Sequence, residues 1–265
     1  MAIESGADFI ARARAAIAAA GFVRKQVGET VYFDAGSGSA LVLIHGASDH
    51  AGTWFTVAPA LARTRRVILP DLAGHGESAP KDGPIPISLI VERLEAVIDD
   101  AVGESETVTL VGNSLGGWMA LLYALKHPAR VTQLVLEDSG GLNRPLAVPM
   151  VARTREEAIP ILRAVHGPNY QPPEWVIEAL LQRATGSPML RLTELLEHDV
   201  EPRLGTIHTP ATLIWGADDG VLPMSYAEAL HQAIPGAKLQ VIEGAGHIPH
   251  MQQPERFLQC LTSIS

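Results

Sequence analysis

A single cysteine, Cys260, leaves no partner for an intramolecular disulfide and no thiol cluster for a metal. It lies in Pro254–Ser263, which reads as a closing helix, so a buried structural thiol fits it better than a reactive one. Runs of Lys and Arg are missing too. With a formal net charge of −9 the chain has no basic stripe to neutralise phosphates, which excludes a nucleic-acid footprint. No segment is apolar for long enough to cross a bilayer. Glu4 and Asp8 stand where a secretory signal needs a basic and then an apolar stretch. Ala11–Ala20 has the composition of a transit peptide, but Phe9, Ile10, Ala13, Ala16, Ile17 and Ala20 fall at helical spacing. The expectation is a surface helix on a cytoplasmic protein, monomer or homodimer, with neither a membrane nor a nucleic acid as partner. Dinucleotide fingerprints and H-E-x-x-H are absent as well, so the expected cofactors are none and the expected metal is none.

What remains is ample material for a core: 47% hydrophobic against 18% charged residues over 265 positions, which suits one large domain. Short β-branched runs alternate with longer helical patterns. Strands are expected at Val23–Val27, Thr30–Phe33, Leu41–Ile44, Arg66–Leu69, Thr107–Val111, Val131–Leu136, Ala211–Trp215 and Lys238–Ile242. Their apolar character is continuous rather than alternating, as in strands covered on both faces. Helices are expected at Trp54–Ala62, Ser88–Val102, Leu115–Lys126, Met224–Ile234 and Pro254–Ser263. Strand and helix in alternation imply an α/β fold, a mostly parallel central sheet of about eight strands with helices on both faces. The rhythm breaks between Leu142 and Arg203, where helical patches separated by prolines contain no convincing strand. That stretch, 142–203, reads as a helical insertion after the sixth strand, the core being 1–141 and 204–265.

Gly112-Asn-Ser-Leu-Gly116 follows a strand and precedes a helical pattern. In that context G-x-S-x-G places its serine on a sharp strand-to-helix turn with the hydroxyl exposed. A serine hydroxyl is a weak nucleophile until a base takes its proton. His247, in Glu243-Gly-Ala-Gly-His247 after the last strand, is the natural base for Ser114, with His250 as the nearby rival. The acid that must orient the imidazole lies in Gly216-Ala-Asp-Asp-Gly-Val-Leu-Pro223, where Asp218 and Asp219 are equally able on chemistry alone.

Taken together, His45-Gly46, Pro70-Asp-Leu-Ala-Gly-His-Gly-Glu-Ser78, G-N-S-L-G-G, G-A-D-D-G-V-L-P and G-A-G-H resemble the α/β-hydrolase fold from about Val23 to the C-terminus. The chain order Ser, Asp, His matches it. The resemblance implies that 142–203 is a variable cap and that the acid is Asp219, with Asp138, at the end of the preceding strand, as the position some members use instead. It implies an oxyanion hole of two backbone N–H groups, those of Ala47 and Leu115; one such donor is worth about 3 kcal/mol. His45 and His75 are expected to organise loops rather than react.

A serine at the turn weighs against the haloalkane dehalogenase and epoxide hydrolase branches, which place an aspartate there. The leading expectation is a serine esterase acting on small to medium carboxylic esters through an acyl-enzyme, with Met150, Trp175 and Met189 as apolar walls of the substrate pocket. Gly112–Gly117 with Ser139-Gly-Gly-Leu142 is also similar to carbon–carbon bond hydrolases of meta-cleavage pathways, for which Arg153, Arg155, Arg163 or Arg191 would meet a substrate carboxylate. Two departures count against that alternative: the oxyanion loop His45–His50 lacks extra glycines, and Ile248 stands where a tryptophan is usual. A ligand-binding receptor with little turnover is the further alternative.

Overall fold

The computed structural model describes residues 5–262. Glu4 and Ser263, which figure in the expectations above, lie outside the described residues. Ten strands and nine α-helices are assigned among those residues. The strands are β1 Val23–Val27, β2 Thr30–Gly36, β3 Ala40–Ile44, β4 Arg66–Pro70, β5 Ile85–Pro86, β6 Val108–Asn113, β7 Val131–Glu137, β8 Leu192–Thr193, β9 Ala211–Gly216 and β10 Lys238–Ile242. The helices are α1 Gly6–Ala19, α2 Ala58–Leu61, α3 Ile87–Val102, α4 Leu115–Lys126, α5 Arg155–His166, α6 Glu174–Gln182, α7 Met224–Ala233, α8 Pro249–Gln252 and α9 Pro254–Thr262.

Eight strands form one sheet in the order β1-β2-β4-β3-β6-β7-β9-β10. Only the pairs β1–β2 and β2–β4 are antiparallel, so the sheet is mostly parallel, as the alternation of strand and helix predicts. Every residue of β3 is buried, because side chains alternate between two covered faces. Val42 and Ile44 join one core with Leu94 of α3, Met119 of α4 and Leu230 of α7. Leu41 and Leu43 join the other with Ile17 of α1, Ala58 of α2 and Phe257 of α9. Cys260 packs at the margin of this second core, and burial pushes its thiol pKa up, in line with a structural role.

The expected helix Trp54–Ala62 is instead a 3-10 turn, Ala51–Thr56, followed by the single turn α2. Val57, at φ −120°, leaves helical geometry between them, and Pro59 opens the new turn where its missing N–H costs nothing. Segment 142–203 is helical in α5 and α6, which share a small core of their own around Ala158, Ile161 and Ile177. Pro160, expected to separate helical patches, lies inside α5, at the cost of one intrahelical backbone bond. A short strand also occurs where none was expected: β8 pairs in parallel with β5. Arg191 beside it donates to the carbonyls of Pro80, Asp82 and Gly83, and Ser88 at the start of α3 donates to Glu194. These bonds fasten the far end of the segment to the body. The near end is held by the Tyr226 hydroxyl, which accepts from the Leu142 N–H (2.6 Å) and donates to the Leu142 carbonyl (3.1 Å).

Candidate active site

Ala47, Ser114, Asp138, Asp219 and His247 follow β3, β6, β7, β9 and β10, so all gather at the carboxyl edge of the parallel sheet, where open α/β sheets bind their ligands. Ser114 is the hinge between β6 and α4 and takes φ +52°, ψ −116°, a strained region for a residue with a Cβ. Neighbouring backbone over-determines that geometry: Ser114 N–H donates to the Glu137 carbonyl, and its own carbonyl accepts from Gly140. Glycine is required beside it. A Cβ on Gly116 would lie 2.1 Å from the Ile44 carbonyl oxygen, so α4 packs against β3 only without one. A Cβ on Gly46 would lie 2.9 Å from Asn113 Oδ1 and 3.3 Å from Ser114 Cβ; here the loop after β3 closes on the serine turn.

His247 Nδ1 lies 2.8 Å from Asp219 Oδ2, with both residues nearly removed from solvent. The other oxygen of Asp219 accepts from the N–H groups of Val221 (2.7 Å) and Leu222 (3.0 Å), which fixes the carboxylate plane. Asn113 Nδ2 donates to the His247 carbonyl at 2.9 Å, tying the histidine loop to the strand that carries Ser114. Of the two carboxylates left open on chemistry alone, Asp218 is exposed and Asp219 is buried against the imidazole. His250, the rival base, is wholly buried, and its Nδ1 lies 2.9 Å from both carboxylate oxygens of Glu137. Its ring also packs on Trp54, 4.1 Å between centroids, so it braces the loop and does not reach the cavity.

Asp138 joins this cluster. It is fully buried at φ +40°, its Oδ1 accepts from Gly216 N–H at 3.0 Å, and its Oδ2 has no hydrogen-bond partner among the described residues. An oxygen of Asp138, an oxygen of Asp219 and a ring nitrogen of His247 all lie within 4.8 Å of one another. Burial, and then the charge of Asp219, hold the Asp138 carboxyl well above the usual carboxylate range. Among the described residues this is the one convergent set of metal-ligand types, but Asp219 and His247 have already spent donor atoms on each other and on two amides. The sequence names Asp138 as an alternative to Asp219; it carries no signal that the two meet.

His45 and His75 shape the loop after β3. Leu72 N–H donates to His45 Nε2 at 3.0 Å, so Nδ1 carries the proton and donates to the Gly46 carbonyl. Burial lowers the pKa of His45 to about 4 and that of His75 to about 3, so both are neutral scaffolding near pH 7. Leu115 opens α4, where the first N–H groups lack intrahelical acceptors, and both it and Ala47 line the cavity beside Ser114.

That cavity has a volume of about 720 Å³ and predominantly apolar walls. Met150, Trp175 and Met189 all line it. So does Phe9 of α1, which the sequence did not point to; it stacks on Trp175 at 6.2 Å. The arginines that reach the cavity are Arg144 and Arg183, whereas Arg153, Arg155, Arg163 and Arg191 do not line it. Arg155 pairs with Glu174, Arg163 turns to the Tyr170 carbonyl and Arg191 is spent on the β5–β8 junction. Helical spacing could not separate them, since it gives no direction for a loop-rich segment.

Residues 41–259 match the model of the Alpha/beta hydrolase family. The 2-hydroxy-6-oxo-6-phenylhexa-2,4-dienoate hydrolase of Burkholderia cepacia is 30% identical over 255 residues, covering 84% of this chain and 86% of that protein. Monoacylglycerol lipase abhd6-A of Xenopus laevis is 26% identical over 258 residues, with 86% and 76% covered. Among solved structures, a membrane phospholipase A described as a bacterial virulence factor superposes with a TM-score of 0.80 at 26% identity, over 97% of this chain and 92% of that one. In this chain no helix of the described residues is long and apolar enough to cross a membrane.

Proposed function

Because the chain belongs to the α/β-hydrolase family, we propose that it is a serine esterase that cleaves carboxylic esters of small to medium acyl chains through an acyl-enzyme. The observation that carries this reading is the 2.8 Å His247–Asp219 bond, set beside the strained Ser114 turn at the wall of one apolar cavity. Ser114 Oγ attacks the ester carbonyl while His247 takes its proton, and Asp219 holds the imidazole in the required tautomer and stabilises the imidazolium. The N–H groups of Ala47 and Leu115 receive the charge that develops on the carbonyl oxygen. His247 then gives the proton to the departing alcohol, and a water deprotonated by the same histidine releases the acid. Segment 142–203 acts as the cap, and its Met150, Trp175 and Met189 hold the acyl chain. A cavity of about 720 Å³ has room for such chains.

Carbon–carbon bond hydrolysis is the second reading, favoured by the meta-cleavage relative and by Arg144 and Arg183 at the cavity. Against it stands the occupation of Arg144 by Glu201 and of Arg183 by the Ser48 carbonyl. A chain-length series of nitrophenyl esters and a vinylogous diketone acid, each assayed with wild type and Ser114→Ala, decides between them. The esterase reading predicts ester turnover that falls by roughly 10⁵–10⁶ in the variant. Efficient cleavage of the diketone acid with feeble ester activity would transfer the function to carbon–carbon hydrolysis. A burst without sustained turnover would point to a ligand receptor.

A further inference from the structure

Two buried carboxyls stand at the back of the His247 ring, and only one has partners enough for a charge. Asp219 is satisfied on both oxygens, by two amide N–H groups and by His247 Nδ1. Asp138 has one amide, that of Gly216, and an orphaned Oδ2 sealed from water. The titratable groups around Asp138 are Asp219, Glu137 and His247, and Glu137 is hydrogen-bonded to His250. No Lys or Arg forms an ion pair with Asp138 or Asp219 among the described residues. Two carboxylates a few ångströms apart without a cation cannot both ionise in so dry a place.

We propose that Asp138 and Asp219 carry a single negative charge between them, Asp138 holding the proton, and that Asp138 is a positioning residue which becomes the acceptor for His247 whenever Asp219 cannot serve. The protonated carboxyl explains the orphaned oxygen, whose hydrogen is available to Asp219. The positive φ of Asp138 accompanies a side chain that accepts from the N–H of Gly216, the residue that opens the Asp219 loop. With Asp219 neutralised, its repulsion no longer adds to burial in keeping Asp138 protonated, and the imidazolium formed at His247 offers Asp138 a counter-charge. Asp138 then ionises, with one oxygen already within 4.8 Å of a His247 ring nitrogen.

The inference rests on the esterase reading for its kinetic arm, so a second arm is independent of turnover. Infrared difference spectra of wild type at neutral pH should contain a protonated-carboxyl band that is missing in Asp138→Asn; its absence from wild type would overturn the proposal whatever the enzyme hydrolyses. In the kinetic arm, Asp138→Asn should reduce kcat/KM by no more than about tenfold and keep the acid limb of the pH profile in place, because an amide replaces a neutral acid. A downward shift of that limb would mean that Asp138 is charged in the wild type, and the proposal would be wrong. Asp219→Asn should lose about 10²-fold or less, and the double variant about 10⁴-fold, the loss usual when a triad lacks its acid. Asp219→Asn falling as far as the double variant would remove the acceptor role. Failure of Ser114→Ala to abolish turnover would instead count against the esterase reading and leave the infrared result standing.

Discussion

His45 has both ring nitrogens committed to backbone, Nδ1–H to the Gly46 carbonyl and Nε2 to the Leu72 N–H. A second proton would break the Leu72 bond in a fully buried site. Burial therefore holds the folded-state pKa near 4, below the 6.5 of an exposed histidine, and His75 nearer 3. As pH falls below 6.5 the unfolded chain takes up protons that the folded chain refuses. Stability supplied by these residues is thus complete above about pH 6.5 and is lost as pH falls towards the folded values. By pH 5 the loss is about 2 kcal/mol for His45 alone. Urea midpoints measured at pH 7.5 and 5 should fall accordingly, with a flatter slope in His45→Gln. A midpoint that holds or rises on acidification would contradict it. In the sequence, Ser114 and His247 are legible because turn chemistry and strand order mark them. The pairing of Asp138 with Asp219 is not legible, since two residues 81 positions apart meet only through the neighbouring strands β7 and β9.

At the scale of elements, the strands and core helices follow from apolar periodicity, because burial on one stripe or both faces is a local property of the chain. The α3 pattern of Ile87, Ile90, Val91, Leu94, Val97 and Ile98 is such a case. What a helix packs against is not local. The spacing of α1 marks a buried face, yet not that its Phe9 wedges between Phe55 of the body and Trp175 of α6, or that Gly6 touches Ala179 too closely for any side chain. Helix α1 thereby becomes part of the cavity wall. Phe9→Ala should raise KM for hexanoyl and longer esters more than for acetyl, while lowering unfolding stability by about 1–3 kcal/mol. KM values along the nitrophenyl ester series test this; an equal change at every chain length would show that Phe9 supports the fold and not the pocket.

For the molecule as a whole, a mostly parallel sheet covered on both faces brings Ser114, Asp138, Asp219 and His247 together at its carboxyl edge, each from the end of a different strand. We propose that Ser114 forms the covalent intermediate at that edge. This is tested most directly by treating the protein with a fluorophosphonate, then measuring intact mass and mapping the modified peptide. One adduct per chain is expected, located on Ser114, absent from Ser114→Ala and formed much more slowly in His247→Ala. Labelling that persists in Ser114→Ala, or an inert wild type, would contradict it.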